Sequence, residues 1–347
     1  MSFPSAVSIP STVTVTTGAR IHFGLLTHRP KSGREFGGAG VMVDSPGWRI
    51  SVSRAEVDSI EASTVALATH PNCAERAASI LNGLRSLRGG NGDDQNGSAA
   101  EGIAIKIETA IPAHQGLGSG SQLALSIARG LDRLSGGDSS VAELCRRAGR
   151  GGRSAIGTWG FELGGLLVDG GKLSRVGEDE DSGPAPLVSR VDVPEEWRFL
   201  LLLPRDSVGL SGEEETAAFS SLSGMSESAT DRLCRITVMQ LVPAFQEARF
   251  EEASAAISEY GRAAGEYFAG IQGGLFTHPV IAELAATLRE AGAQGLAQTS
   301  WGPGCALLCR DESMASELAE LAGNFGAKWL DTQTVRGLNR GALVECS

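Results

Sequence analysis

The sequence predicts an α+β protein made of two closely packed units, and three observations lead there. The chain has 347 residues, which at roughly 100–200 residues per domain calls for one large or two intimate domains. Its end runs helix, strand, strand, helix, strand, the order of a small α+β sandwich. The acidic loop Gly177–Pro186 (GEDEDSGPAP) near mid-chain is the best candidate for a boundary. The expected division is residues 1–190 and residues 191–347.

Each element has its own signal. Thr12–Thr17 (TVTVTT) alternates β-branched residues, reads as a strand, and runs into Arg20-Ile21-His22-Phe23-Gly24. Gly33–Gly40 reads as a turn or loop, with Val41–Val43 and Trp48–Val52 as paired strands around Ser45-Pro46-Gly47. Ala74–Leu87 sets Ala77, Leu81, Leu84 and Leu87 at helical spacing, and Gly89–Ser98 reads as a polar loop. Ile103–Ile111 is the clearest strand, with Ile103, Ile105, Ile107 and Ile111 opposite Lys106 and Glu108. A helix carrying Leu123, Ile127, Leu131 and Leu134 follows, then a helix over Val141–Arg150 and a strand-like Phe161–Gly171. Phe199–Leu203 reads as a buried strand. Residues 213–270 read as mostly helical, broken near Ser223-Gly224 and bent at Pro243. The closing elements are His278–Ala291, Leu296–Ser300, Cys305–Arg310, Ser313–Ala322 and Lys328–Thr334.

Composition excludes several function classes. A net charge of -11 disfavours nucleic acid and anionic membrane as partners, because both need a basic field. Aromatics are 5% against 46 glycines, which argues against base-stacking platforms. No apolar run approaches the ~18 residues of a membrane helix. The first residues, MSFPSAVSIPSTVTVTT, lack a basic start followed by an apolar core, so no signal peptide is expected. Six scattered cysteines without a C-x-x-C pair read as buried reduced thiols of a cytoplasmic protein.

Four constellations carry chemistry. In Ile111–Gln122 (IPAHQGLGSGSQ) a strand ends, Pro112 stops it, and Gly116, Gly118 and Gly120 alternate before a helix begins. Such glycines turn successive N–H groups inward, and the helix start adds its positive dipole end, so the loop suits an anion cradle with Ser119 and Ser121 as hydroxyl donors, the alternative being a plain Gly-rich strand-to-helix turn. No Lys follows the last glycine, so it is not a P-loop. Cys145–Ser154 (CRRAGRGGRS) crowds four arginines into an acidic chain. Arg146 and Arg147 suit a helix C-terminus, while Arg150 and Arg153 on the loop suit an anion. Arg20 and His22 share a strand face, where His22 could donate to an anion, shuttle a proton or serve as a hydrogen-bonded structural residue. Gln298–Gly304 (QTSWGPG) makes a tight turn offering Thr299, Ser300 and the Trp301 indole. Asp44 and Asp169, each ending a strand, are weaker candidates for a Mg²⁺ site.

These segments occur in the order seen in the GHMP kinase superfamily, and Pro112–Ser121 resembles its central P-x-x-x-G-L-G-S-S-A loop. The resemblance implies a ribosomal protein S5 domain 2-like N-terminal domain and a ferredoxin-like C-terminal domain. Family kinases often carry a catalytic Asp in a segment resembling R-P-S-G-x-D, but Gly152–Trp159 (GRSAIGTW) has none. Arg20–Leu26, Gly37–Val41, GLGSGSQ, Gly149–Gly157, Phe161–Gly170 and Thr299–Gly304 together resemble the β-ribofuranosylaminobenzene 5′-phosphate synthase branch. That branch implies tetrahydromethanopterin biosynthesis and one-carbon metabolism. The implied reaction joins 5-phosphoribosyl 1-diphosphate to 4-aminobenzoate or 4-hydroxybenzoate, releasing CO₂ and diphosphate. The expected partners are these small molecules and a second copy of the chain.

On that reading Arg20, His22 and Arg153 are the catalytic set. Gln115, Gly116, Gly118, Ser119, Gly120, Ser121, Arg150, Ser154, Thr158, Trp159, Thr299, Ser300 and Trp301 bind substrate, Mg²⁺ assists, and no organic cofactor is needed. The competing expectations are an ATP-dependent small-molecule kinase of the same superfamily and a phosphometabolite sensor without turnover.

Overall fold

The computed structural model describes residues 9–89, 102–173, 183–205, 209, 213–326 and 328–347. Most of the loop expected at Gly89–Ser98 and most of the boundary loop Gly177–Pro186 lie outside these. Two sheets organise the molecule. The first has eight strands and is built around two long ones, β1 (Thr12–Thr27) and β2 (Arg34–Ala55). It also takes in β3 (Ser59–Ala62), β4 (Gly102–Thr109), β5 (Leu166–Asp169), β6 (Lys172–Leu173), β7 (Leu187–Val191) and β12 (Leu343–Cys346). Its main path runs β12-β1-β2-β4-β3, with β5 and β6 on β2 and β7 on β5. The end of the chain therefore returns to pair with its first strand, Val13 opposite Cys346.

Between β3 and β4 lie α1 (Thr64–Thr69) and α2 (Cys73–Gly89). Helix α3 (Ser119–Leu134) follows β4 and packs across β1 and β2 with Leu123, Ile127 and Leu134 in the core. Trp48 on β2 is fully buried, and its Nε1 donates to the Ser119 carbonyl at 2.9 Å, which pins the start of α3 to the sheet. Helices α4 (Val141–Arg147) and α5 (Ile156–Leu163) then lead into β5.

The second sheet contains β8 (Arg198–Pro204), β9 (Leu296–Gln298), β10 (Cys305–Cys309) and β11 (Leu330–Arg336), in the order β11-β8-β10-β9 and antiparallel throughout. Between β8 and β9 run α6 (Glu213–Ser221), α7 (Glu227–Ile236), a π-helical stretch over Thr237–Leu241, α8 (Val242–Gln246), α9 (Phe250–Gln272) and α10 (Pro279–Glu290), and α11 (Glu312–Gly326) joins β10 to β11. This strand order is ferredoxin-like. Strand β8 is buried on both faces, as its unbroken apolar run requires. Leu200 and Leu202 join a cluster with Ile281, Leu284 and Leu307, whereas Phe199, Leu201 and Leu203 face the main core.

Three readings of the sequence are corrected. Gly33–Gly40 is mostly strand, because β2 starts at Arg34 and pairs His22 with Gly40 and Gly38 with Asp169. A Cβ on Gly40 would lie 2.5 Å from the Ile21 carbonyl oxygen, so the glycine permits a close strand contact. Phe161–Leu163 ends α5, Gly164 follows at φ +64, and the strand begins only at Leu166. The helix from Val141 stops at Arg147. Gly149 at φ +60 turns the chain, and the Arg150 amide caps the Cys145 carbonyl at 2.8 Å, the usual way a helix C-terminus satisfies its last carbonyls.

Candidate functional site

The glycine loop is clamped between β1 and the turn that follows β9. Gly116 and Gly118 sit at φ +75 and +76, the left-handed region. A Cβ on Gly116 would stand 2.0 Å from the Thr299 carbonyl oxygen, and one on Gly118 would stand 2.6 Å from Arg20 Cγ. Thr299 Oγ1 and Arg20 Nη1 both donate to the Gly116 carbonyl, at 2.9 and 3.2 Å, and the Arg20 amide donates to the Leu117 carbonyl. The loop delivers the chain to Ser119, where the 16 residues of α3 begin. The N–H groups at that start have no partner within the helix and point an anion-binding end at the loop.

Two arginines from elsewhere converge on this end. A Cβ on Gly120 would lie 2.9 Å from Arg76 Nη2 and 3.9 Å from Arg150 Nη1. Arg150 Nε is buried without a hydrogen-bond partner, and burial and then the Arg76 charge push the Arg150 guanidinium down from its ordinary pKa. Two like charges held together over a helix N-terminus repel each other, and an anion between them removes that cost.

Above the loop is a cavity of about 180 Å³ lined by Arg76, Gly118, Ser119 and Gly120. Arg20, Ser121, Arg150, Ser300 and Trp301 line both it and a second cavity of about 300 Å³, forming a neck between them. The described lining of both cavities includes no Asp or Glu. The larger cavity has an aromatic wall: Trp301 lies 4.6 Å from Phe268 and 4.9 Å from Phe219, ring centre to ring centre. Arg153 lies over Phe219, 4.8 Å from its centre.

A polar chain supports the opposite side. Asp169, fully buried on β5, accepts Ser154 Oγ–H and the Ala155 amide on Oδ2 and the Gly171 amide on Oδ1, all at 3.0 Å. Burial raises its pKa against the pull of those donors. With its own proton on Asp169, Ser154 Oγ accepts from His22 Nε2 at 2.9 Å, while His22 Nδ1 accepts from the Gly24 amide at 3.2 Å. Burial, then the Arg20 charge, push the His22 pKa down to about 3. His22 is thus a neutral imidazole with both nitrogens engaged, which leaves it no free position for an anion.

The remaining candidates divide. Arg20, Ser121, Arg150, Ser300 and Trp301 meet at the neck, Gly116, Gly118, Ser119 and Gly120 line the smaller cavity, and Arg153 and Ser154 line the larger. Thr299 is fully buried; it binds the Gly116 carbonyl and accepts the His22 amide at 2.9 Å, so it holds loops together. Gln115 turns into a neighbouring cavity and donates to the Pro204 carbonyl. Thr158 is buried against Cys145 Sγ, and Trp159 Nε1 donates to the Ala185 carbonyl; neither lines the two cavities. Asp44 is on the surface, accepting the Arg336 amide. No group of three His, Cys, Asp or Glu among the described residues is placed to hold a metal. Asp44 and Asp169 line neither cavity, and the Asp169 carboxyl is engaged by amide and hydroxyl donors. Sequence reasoning missed Arg76, Phe219 and Phe268. The two arginines of GRGGRS signalled a cation cluster, but nothing local marks Arg76 in an ordinary helix.

Residues 76–161 match the family model "GHMP kinases N terminal domain". The chain is homologous to a beta-ribofuranosylphenol 5′-phosphate synthase of Methanothermobacter thermautotrophicus, 28% identical over 317 residues, covering 89% of this chain and 93% of that one. A protein of the same name from Archaeoglobus fulgidus is 29% identical over 242 residues, covering 68% and 71%. Among solved structures, homoserine kinase from Cytophaga hutchinsonii superposes with a TM-score of 0.64 at 16% identity, covering 99% of this chain and 100% of the other. Mevalonate pyrophosphate decarboxylase from Streptococcus pyogenes gives 0.62 at 16%, covering 96% and 98%. The two-sheet α+β fold is that of the GHMP kinases.

Proposed function

We propose, from the premise that the chain is a GHMP-fold homologue of these synthases, that it is a decarboxylating phosphoribosyl transferase. It joins 5-phosphoribosyl 1-diphosphate to 4-hydroxybenzoate or 4-aminobenzoate, giving a β-C-riboside 5′-phosphate, CO₂ and diphosphate, as in tetrahydromethanopterin biosynthesis. The observation that carries this reading is the pair of adjoining cavities that share five lining residues, one cationic and one aromatic-walled, with no Asp or Glu in their described lining. The relatives' name, a ribofuranosylphenol 5′-phosphate synthase, supports a phenol-type acceptor.

The diphosphate lies over the α3 N-terminus between Arg76 and Arg150, which stabilise the charge that develops as the C1–O bond breaks. Ribose C1 sits at the neck. The acceptor ring lies against Trp301 and Phe268, and its carboxylate-bearing carbon attacks C1 from the side opposite the leaving group, which sets the β configuration. The ring–carboxylate bond then breaks, its electron pair restores aromaticity, and CO₂ leaves, so the net step requires no base. Arg20 at the neck orients the acceptor carboxylate. Neutral His22 acts as a positioning residue through Ser154. Holding both reactants in line and excluding water are the protein's main contributions. Mg²⁺ bound with the donor would supply further neutralisation of the departing diphosphate's charge. No helix among the described residues is long and apolar enough to cross a membrane. A cytoplasmic homodimer is part of the same proposal, and light scattering tests its mass.

Among the described residues, the kinase reading lacks its carboxylate at the two cavities. Asp169, which reaches the stretch where family kinases carry theirs, is spent on Ser154, Ala155 and Gly171. Carboxyl-labelled acceptor should yield labelled CO₂ only when phosphoribosyl diphosphate is present. Label release without the donor, or ADP formation from ATP and no CO₂, refutes the proposal.

A further inference from the structure

We propose that the loop Gly149–Ser154 seats a second phosphoryl group, the 5-phosphate of the donor, while the Gly116–Ser121 loop keeps the diphosphate. The inference rests on reading the donor as phosphoribosyl diphosphate, which is anionic at both ends. Such a molecule needs two anion seats facing one neck, and the Gly116–Ser121 cradle supplies one.

The second seat has the chemistry of the first with a different construction. Gly149 and Gly151 stand at φ +60 and +77, so the backbone here reverses its sense twice within three residues. The amides of Gly149 and Arg150 are spent capping α4, on the Arg146 and Cys145 carbonyls. Among the described residues, the amides of Gly151, Gly152 and Ser154 meet no acceptor. Successive free amides in such a turn form an anion-binding concavity. A Cβ on Gly152 would meet nothing within 4 Å, so there is open room at the loop crest. The whole loop lines the larger cavity.

The cations and anchors fit the same role. Arg153 is held over the Phe219 ring, so less side-chain freedom is lost when it grips a phosphate. Arg150, its Nε buried and unpartnered, stands at the neck between the two seats. Asp169 fixes the end of the loop through Ser154 Oγ and the Ala155 amide but lines neither cavity. A donor held at both ends places C1 at the neck, with the aromatic wall beside it.

The test uses the full chain with ribose 5-phosphate and inorganic diphosphate as separate competitors of phosphoribosyl diphosphate. Arg153→Gln should weaken inhibition by ribose 5-phosphate about tenfold and leave diphosphate within about twofold, the scale of one charge-assisted hydrogen bond. Arg76→Gln should do the reverse. Arg153→Lys keeps the charge and should recover part of the ribose 5-phosphate affinity. Calorimetric titration of both inhibitors reads the seats whether or not turnover occurs. The inference fails if Arg153→Gln weakens diphosphate more than ribose 5-phosphate, if it raises only the KM of the aromatic acid, or if both variants weaken both inhibitors alike. A parent chain that binds both inhibitors but releases no CO₂ refutes the synthase reading and leaves the two seats standing.

Discussion

Replacing His22 by Gln removes one titrating group from the centre of the site and isolates its contribution to stability. In the fold its pKa lies at about 3, because burial and the Arg20 charge disfavour the imidazolium; in the unfolded chain it returns to about 6.5. A base depressed in this way binds fewer protons folded than unfolded between these values. Its stabilising contribution is therefore complete above about pH 6.5 and is lost as the pH falls towards 3. Between about pH 7.5 and 5 the loss attributable to His22 works out at about 2 kcal/mol. Asp169, raised by burial, acts with the opposite sign, gaining protons in the fold as the pH falls, but parent and variant share it. Urea unfolding of both at the two pH values gives the answer. The variant should be less stable at about pH 7.5 by ~1–3 kcal/mol, because the Ser154 and Gly24 hydrogen bonds are perturbed. The gap should shrink by about 2 kcal/mol at about pH 5. A gap constant to within ~0.5 kcal/mol across that range, or a His22 ring resonance titrating near its unfolded value, refutes the buried neutral imidazole.

Three further outcomes follow from the geometry. Gly116→Ala forces a Cβ towards the Thr299 carbonyl in a left-handed backbone, and should cost on the order of 2–5 kcal/mol in chemical denaturation. A loss under ~1 kcal/mol contradicts the clamp. Asp169→Asn turns an amide nitrogen towards donors that need an acceptor; stability should fall by ~1–3 kcal/mol, and the KM for phosphoribosyl diphosphate should rise as the arginine loop loosens. Unchanged kinetics refute the anchoring role. Phe219→Ala strips one ring from the aromatic wall and the platform under Arg153, so steady-state assays should show the KM of the aromatic acid rising about tenfold. A variant with parental KM shows that the ring lies elsewhere.

The sequence carried the fold further than the site. Strand β4, helix α3 and the β8 run were legible because each has one dominant period or an unbroken apolar stretch. Gly38 and Gly40 misled, since glycine in a strand looks like a loop unless the neighbouring strand is known to lie within contact. Trp159 and Trp301 were equal candidates by residue type. Only packing sends the first to the Ala185 carbonyl and the second to the neck. Arg76 was invisible for a related reason. Its position in the first turn of α2 is unremarkable until α3 is laid beside it. Local spacing identifies loops that bind anions. Which distant cation completes them depends on tertiary placement.

The hydrogen bond from the His22 amide to Thr299 Oγ1 closes a separation of 277 residues, and the Thr299–Gly116 bond closes one of 183. Contacts of such span form late, because the loop-closure entropy must be met before the reward arrives. The helices and the β1–β2 hairpin form from local or near-local pairing. During refolding the far-ultraviolet signal should therefore recover first. The ability to bind diphosphate should lag behind it, since the clamp on Gly116 is among the last connections made.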